Sequence, residues 1–279
     1  MQVISNSQMK CFQECPRKHH YRYNLLKRPA TDSPALYFGT LWHTLREGGA
    51  LPEPMDPAIR ARLMGMDTAY RARWESVELQ VDKIEEEFRV PLINPETGAP
   101  SRTFELGGKV DKKVRIDGAR MLMEHKTSSE DITPGSPYWA SLAIDSQVST
   151  YLDAHPDCEG VYYDVVRKPT IKLKKTEEPG DYMDRCAEVM AADPGKYFQR
   201  GTITRMSEDA EEARFDRWHI GRLIREAQVQ DRHPKSTGSC RKWMRLCEYF
   251  DVCTRATTLD DPRFRTAPTP HEELGGPTS

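Results

Sequence analysis

The chain has 279 residues, with 41 lysines and arginines against 43 aspartates and glutamates and a formal net charge of -2. At 37% hydrophobic and 30% charged residues it reads as a soluble globular protein; the charge excludes a coat of nucleic acid over the whole chain but not a local basic groove. No apolar run approaches the about 20 residues of a membrane span, and the first residues lack a signal-peptide pattern, so a cytoplasmic protein is expected with its seven cysteines as thiols or metal ligands. Ser5 to about Lys27 is predicted helical with a break at Pro16, and its basic, aromatic patch from Arg17 to Tyr23 suits either phosphate and base contacts or a solvated helix face. A second helix carries Gly39, Trp42 and His43. From Asp56 to Glu87, apolar residues at helical spacing (Leu63, Met66, Tyr70, Trp74, Val77) predict a long helix, and residues 55–95 are expected as a helical insertion or lid.

Asp117-Gly118 signals a two-residue hairpin turn, because both central positions of such a turn favour residues that tolerate positive φ. Ser136 to Ala154 is predicted as a helix opened by Ser136-Pro137, with Gln147 and Tyr151 on one face. A strand is predicted over Gly160 to Arg167, a helix over Asp181 to Ala192 and a strand over Tyr197 to Met206. Ser207 is read as the cap of a long helix with an acidic first turn, and residues 257–279, rich in Pro, Thr and Gly, are expected as a disordered tail. Hairpin, helix and strand in this order predict an α/β fold, a mixed central sheet flanked by helices.

In a type I′ hairpin, Asp111 and Glu124 are equally distant from the turn and face each other, with Cβ atoms about 4.5–5.5 Å apart. Lys126 alternates onto the same face, beside Lys109 and Lys113, whereas Val110, Val114, Ile116, Met121 and Met123 fall on the opposite, core-directed face. Two carboxylates converging beside an ammonium suit phosphodiester hydrolysis with Mg²⁺ or Mn²⁺; a solvated charged hairpin is the alternative that alternation alone allows.

In chain order, GTLWH with His43, GKVD with Asp111, EHK with Glu124 and Lys126, and QVSTY with Gln147 and Tyr151 resemble the RecB-type branch of the PD-(D/E)XK nuclease superfamily. That branch includes the AddB nuclease domain, CRISPR-adaptation nucleases and phage-type exonucleases, and the resemblance runs from about Ser5 to Cys253. It implies a restriction-endonuclease-like core in a single nuclease domain over residues 1–256. Asp111, Glu124, the main-chain carbonyl of His125 and His43 would ligate Mg²⁺ or Mn²⁺. Lys126 would act on the attacking water, and Gln147 and Tyr151 would line the site and hold the strand. The implied activity is a metal-dependent deoxyribonuclease, expected as an exonuclease on single-stranded DNA or DNA ends in recombination, repair or phage DNA processing. A non-cleaving DNA-binding accessory of the same fold is the alternative. No G-x-x-x-x-G-K-[ST] motif is present for ATP, so unwinding is expected from a partner such as a helicase or a recombination or annealing protein. Ring-forming relatives make a homo-oligomer a further expectation.

Cys240, Cys247 and Cys253 lie in CRKWMRLCEYFDVC, and Cys15 stands far upstream, an arrangement similar to the four-cysteine staple of the same branch. The resemblance implies a [4Fe–4S] cluster that clamps residues 1–35 to residues 236–256 across more than 200 residues. The six residues between Cys240 and Cys247 exceed the branch's usual two and suit one extra helical turn, whereas the five before Cys253 keep the pattern. Zinc on the same four thiolates is the competing reading. Cys11 is an alternative to Cys15, and Cys158 and Cys186 are expected as packing residues.

Overall fold

The computed structural model describes the chain except Trp243, Glu273 and residues 275–279. In order, the elements are β1 (Gln2–Ser5), α1 (Asn6–Glu14), α2 (Pro16–His19), β2 (Lys27–Pro29), α3 (Pro34–Arg46), α4 (Pro57–Trp74), β3 (Gln80–Ile93), β4 (Pro100–Ile116) and β5 (Ala119–Ser128). There follow α5 (Pro137–Leu142), α6 (Ser146–Ala154), β6 (Gly160–Arg167), α7 (Pro179–Ala192), α8 (Pro194–Tyr197), β7 (Phe198–Ile203), α9 (Ser207–Gln230), β8 (Arg241–Lys242), β9 (Arg245–Leu246), α10 (Phe250–Cys253) and β10 (Phe264–Thr266). The chain divides into two compact units: one of Met1–Asp32, Glu87–Lys109 and Met206–Ser279, the other of Ser33–Glu86 and Val110–Arg205.

The second unit is built on the hairpin. Asp117 and Gly118 take φ of 51° and 87°, the positive values that the Asp-Gly turn permits. Pairing then runs from Ile116↔Ala119 to Lys112↔Met123, the register predicted from the turn. β5 continues parallel to β6, and β6 antiparallel to β7, which gives a mixed sheet. β6 is almost continuously apolar because it is buried on both faces. Val114, Met121 and Met123 pack together on one face of the hairpin. A second core gathers Trp42 from α3, Leu63 and Met66 from α4, and Met190 from α7, all fully buried. The α4–α7 contact is closest at Gly65, where a Cβ would stand 2.4 Å from the Met183 carbonyl oxygen; only glycine lets the backbones approach so far.

In the first unit β1 lies parallel to the start of β4, from Gln2↔Phe104 to Ser5↔Gly107. Ile220 and Ile224 of α9 pack on Ile4, Leu92 and Phe104. β10 pairs antiparallel with β2.

Several expectations change. The long helix expected from Asp56 to Glu87 stops at Trp74, and Gln80–Ile93, within the expected helical insertion of residues 55–95, is strand β3. Pro91 cannot sit inside a helix, and Phe88, Leu92 are buried on a strand that pairs with β4. Leu63 and Met66 of α4 belong to the core. The helix expected from Ser136 to Ala154 is two helices, because Asp145 caps α6 by accepting the Gln147 amide at 2.7 Å. Ser207 is the first residue of α9 rather than its cap; the Asp209 carboxylate accepts the Met206 amide instead. In the patch from Arg17 to Tyr23, His19, Tyr21 and Tyr23 are buried, so these rings are core rather than a solvated face. The tail expected as disordered is ordered through residue 272: Ala267 donates its amide to Leu26 carbonyl at 2.7 Å, and the Phe264 ring stacks on Tyr249. Its last part, Glu273 and residues 275–279, lies outside the described residues.

Candidate active site

The residues predicted to form the site meet in the second unit. Asp111 stands one residue beyond the stretch of β4 paired with β5, which ends at Lys112↔Met123, and its Oδ2 accepts the His125 amide of β5 at 2.8 Å. His43, on α3, brings Nδ1 to 3.5 Å from the same carboxylate oxygen. Burial pushes the Asp111 carboxyl up, but the bond and charge of His43 and the His125 amide outweigh it and hold the group below its usual range. In return the His43 imidazole, lowered by burial, is raised on balance by Asp111 and then Glu124.

Glu124 is almost fully buried and belongs to a second string of contacts. Its Oε1 lies 2.5 Å from Lys126 Nζ and accepts a bond from Gln147 Nε2 at 3.1 Å. Gln147 also donates to the Tyr151 hydroxyl at 2.8 Å, while its own Oε1 accepts from Lys126 Nζ at 3.5 Å. The i, i+4 spacing on α6 allows both contacts from one helix face. Glu124 Oε2 is buried without a hydrogen-bond partner. Burial and then the Asp111 charge raise the Glu124 carboxyl, against the pull of Lys126. A buried carboxylate oxygen with an unmet valence, facing a second carboxylate, is what a divalent cation would satisfy. His43, Asp111 and Glu124 are the donors that would hold such an ion, and as they stand among the described residues their ligand atoms are not all within 4.8 Å of one another, so Glu124 would have to close on the other two.

The His125 side chain points away from this group. It is 2% exposed and its Nδ1 lies 3.3 Å from Asp164 Oδ2 on β6, itself 1% exposed. Arg200 Nη2 reaches the same oxygen at 3.2 Å, and the Tyr70 hydroxyl donates to it. Burial raises the Asp164 carboxyl, but His125, Arg200 and Tyr70 together hold it below the usual range. Sequence reading missed this network because Asp164 sits in an apolar strand with no motif around it. It also missed Tyr138 of α5, whose hydroxyl is pushed up to about 12 by burial and feels the charges of Lys126 and Glu124.

In the first unit, Cys15, Cys240, Cys247 and Cys253 line one small cavity with Lys18 and Tyr249. Between Cys240 and Cys247, Arg241 and Lys242 pair with Leu246 and Arg245 in a tight two-strand ribbon rather than the expected helical turn. The ribbon closes where the Cys247 amide donates to the Cys240 carbonyl at 2.9 Å, so the longer spacing still sets these two cysteines side by side. Cys11, Cys158 and Cys186 are buried away from this cavity. His20, Asp231 and His233 form another His/Asp group, with ligand atoms within 4.8 Å. The two imidazoles stack at 3.9 Å and 21°, so their planes do not converge on one ion.

No described helix is long and apolar enough to cross a membrane. No curated protein matches the chain. The solved structure named "Putative exonuclease" from Eubacterium rectale is similar at a TM-score of 0.52 and 14% identity, covering 93% of this chain and 90% of that one. At that identity the likeness shows the fold. A phage-related exonuclease from Haemophilus somnus 129PT aligns over 81% of this chain and 96% of that one, at 14% identity and a TM-score of 0.35. The model of the PD-(D/E)XK nuclease superfamily matches residues 3–254, so with the paired carboxylates and lysine at their places in a mixed sheet, the chain belongs to that superfamily.

Proposed function

We propose that the protein is a divalent-metal-dependent DNA nuclease, acting as an exonuclease on single strands or DNA ends in recombination, repair or phage DNA processing. The observation that carries the reading is the meeting of Asp111, Glu124 and Lys126, with one Glu124 oxygen buried and unpartnered. Asp111, Glu124, His43 and the His125 carbonyl would hold Mg²⁺ or Mn²⁺, which supplies Lewis acidity toward the scissile phosphate. Lys126 holds its ammonium against Glu124, opposing the effect of burial on that carboxyl, and places a donor where charge develops on the phosphate oxygens. Gln147 fixes Glu124 and Tyr151 relative to each other and, with Tyr151, presents polar groups to the strand.

The name of the similar Eubacterium rectale structure supports exonuclease over endonuclease action. The test uses Mn²⁺ with end-labelled linear and circular single-stranded DNA. Loss of linear but not circular substrate is expected. Nicking of circles would make the enzyme an endonuclease, and no cleavage of either would favour the non-cleaving accessory. Without an ATP-binding motif, the protein would take its strand from a helicase or an annealing partner.

Cys15, Cys240, Cys247 and Cys253 would hold a [4Fe–4S] cluster, a structural staple within the first unit. The gathering of all four thiols around one cavity supports a shared inorganic centre, with zinc on the same thiolates as the competing reading.

A further inference from the structure

The first unit carries a groove of about 540 Å³ between the start of β4 and α9, lined by none of the residues placed at the metal site. One wall presents Arg102; the other presents Arg222 and Arg225, one helical turn apart, with Trp218 beside them. Among the described residues, none of the three guanidinium groups has an ion-pair or hydrogen-bond partner, and all three side chains are exposed. Glu226 is the one carboxylate in the lining, and it accepts a hydrogen bond from Gln230 at 3.0 Å. Acidic residues outnumber basic ones in the whole chain, yet here three cations gather against one anion. Their mutual repulsion is left uncompensated, which costs free energy unless an anion is bound.

The floor is of another character. Phe104 and Leu92 are buried beneath it, and Leu223 and Val229 expose 39% and 65% of their surface at its edge. Guanidinium groups over an apolar, tryptophan-bearing concavity match a polymer that is charged along its backbone and apolar on its bases. A duplex hides its base faces, so it would use the arginines and leave the floor uncovered. An unpaired strand uses both. We propose that this groove binds single-stranded nucleic acid, the three arginines on successive phosphates and the apolar floor under the bases, as a second strand-holding surface of the nuclease. The proposal rests on the nuclease reading for the identity of the strand as DNA.

The test measures anisotropy of a fluorescein-labelled oligothymidylate in EDTA, so that binding is read without cleavage. The native protein is compared with Arg102→Ala/Arg222→Ala/Arg225→Ala, whose exposed positions leave the core intact. Three lost phosphate contacts, at about 0.7 each, should lower the slope of log affinity against log salt by about 2 and weaken binding about 50-fold at about 0.15 M salt. Lys172→Ala/Lys174→Ala/Lys175→Ala removes the same charge from exposed positions in the other unit and should leave most of that slope. An unchanged slope in the arginine variant, or an equal loss in the lysine variant, overturns the groove. A loss confined to duplex DNA overturns the single-strand assignment. Failure of the nuclease reading would appear separately, as absent cleavage by a native protein that still binds the strand.

Discussion

Asp164→Ala should be the most destabilising single change in the second unit. The carboxylate is 1% exposed and serves three partners: Arg200 at 3.2 Å, His125 at 3.3 Å and the Tyr70 hydroxyl. The Arg200 side chain is only 6% exposed and lies flat on Trp74, its guanidinium carbon 3.9 Å from the ring centroid, so it cannot reach water when its partner is lost. Removing one member of a buried charge pair strands the other, at about 3–5 kcal/mol. For a chain of this size each kcal/mol moves Tm by about 2–4 °C, so the melting point should fall by about 6–20 °C. Asp164→Asn keeps an acceptor for Tyr70 and Arg200 and should lose less, about 1–3 kcal/mol. Urea denaturation followed by circular dichroism, with parallel thermal melts, measures both. If both variants unfold within about 0.5 kcal/mol of the native protein, the network does not anchor β6 and the argument from burial is wrong.

Lys126→Ala should lower the cleavage rate by about 10²–10³-fold, as loss of one donor to developing charge does elsewhere, while strand binding in EDTA persists; unchanged turnover would remove Lys126 from the chemistry. Gly65→Val puts two extra branches where even a Cβ lies 2.4 Å from a carbonyl oxygen, so it should destabilise by about 1–3 kcal/mol in urea melts, and a neutral result would mean that α4 and α7 pack less closely than described. Cys15→Ser should abolish both bound iron and the broad absorbance near about 400 nm expected of a thiolate-held cluster in anaerobically purified protein. Stoichiometric zinc in the native protein would replace the cluster by a tetrahedral site.

The parts legible in sequence are those where local chemistry admits one answer. Asp117-Gly118 sets the hairpin register, and register alone brings Asp111 to the main chain beside Glu124. The i, i+4 spacing of Gln147 and Tyr151 survives the split of their helix at Asp145, because both lie beyond the break. Helical periodicity misled where charge was dense: in QVDKIEEEFRVPLI the spacing of apolar residues suits a helix, but Pro91 and pairing with β4 decide for strand. Partners far apart in sequence left no trace at all. Tyr70, Asp164 and Arg200 come together only after β6, β7 and α4 have packed, and the ribbon that brings Cys240 to Cys247 is a tertiary answer to an odd spacing.

The most direct test of the account is Mn²⁺-dependent cleavage of end-labelled single-stranded DNA by native protein and by Asp111→Ala, each checked for an unchanged melting profile. Asp111 takes the His125 amide and faces His43, yet it fills no core volume, so the variant should fold. The account predicts that cleavage disappears in the variant and that Mn²⁺ no longer binds to it. Full cleavage by a folded Asp111→Ala protein would mean that the paired carboxylates are not the catalytic centre.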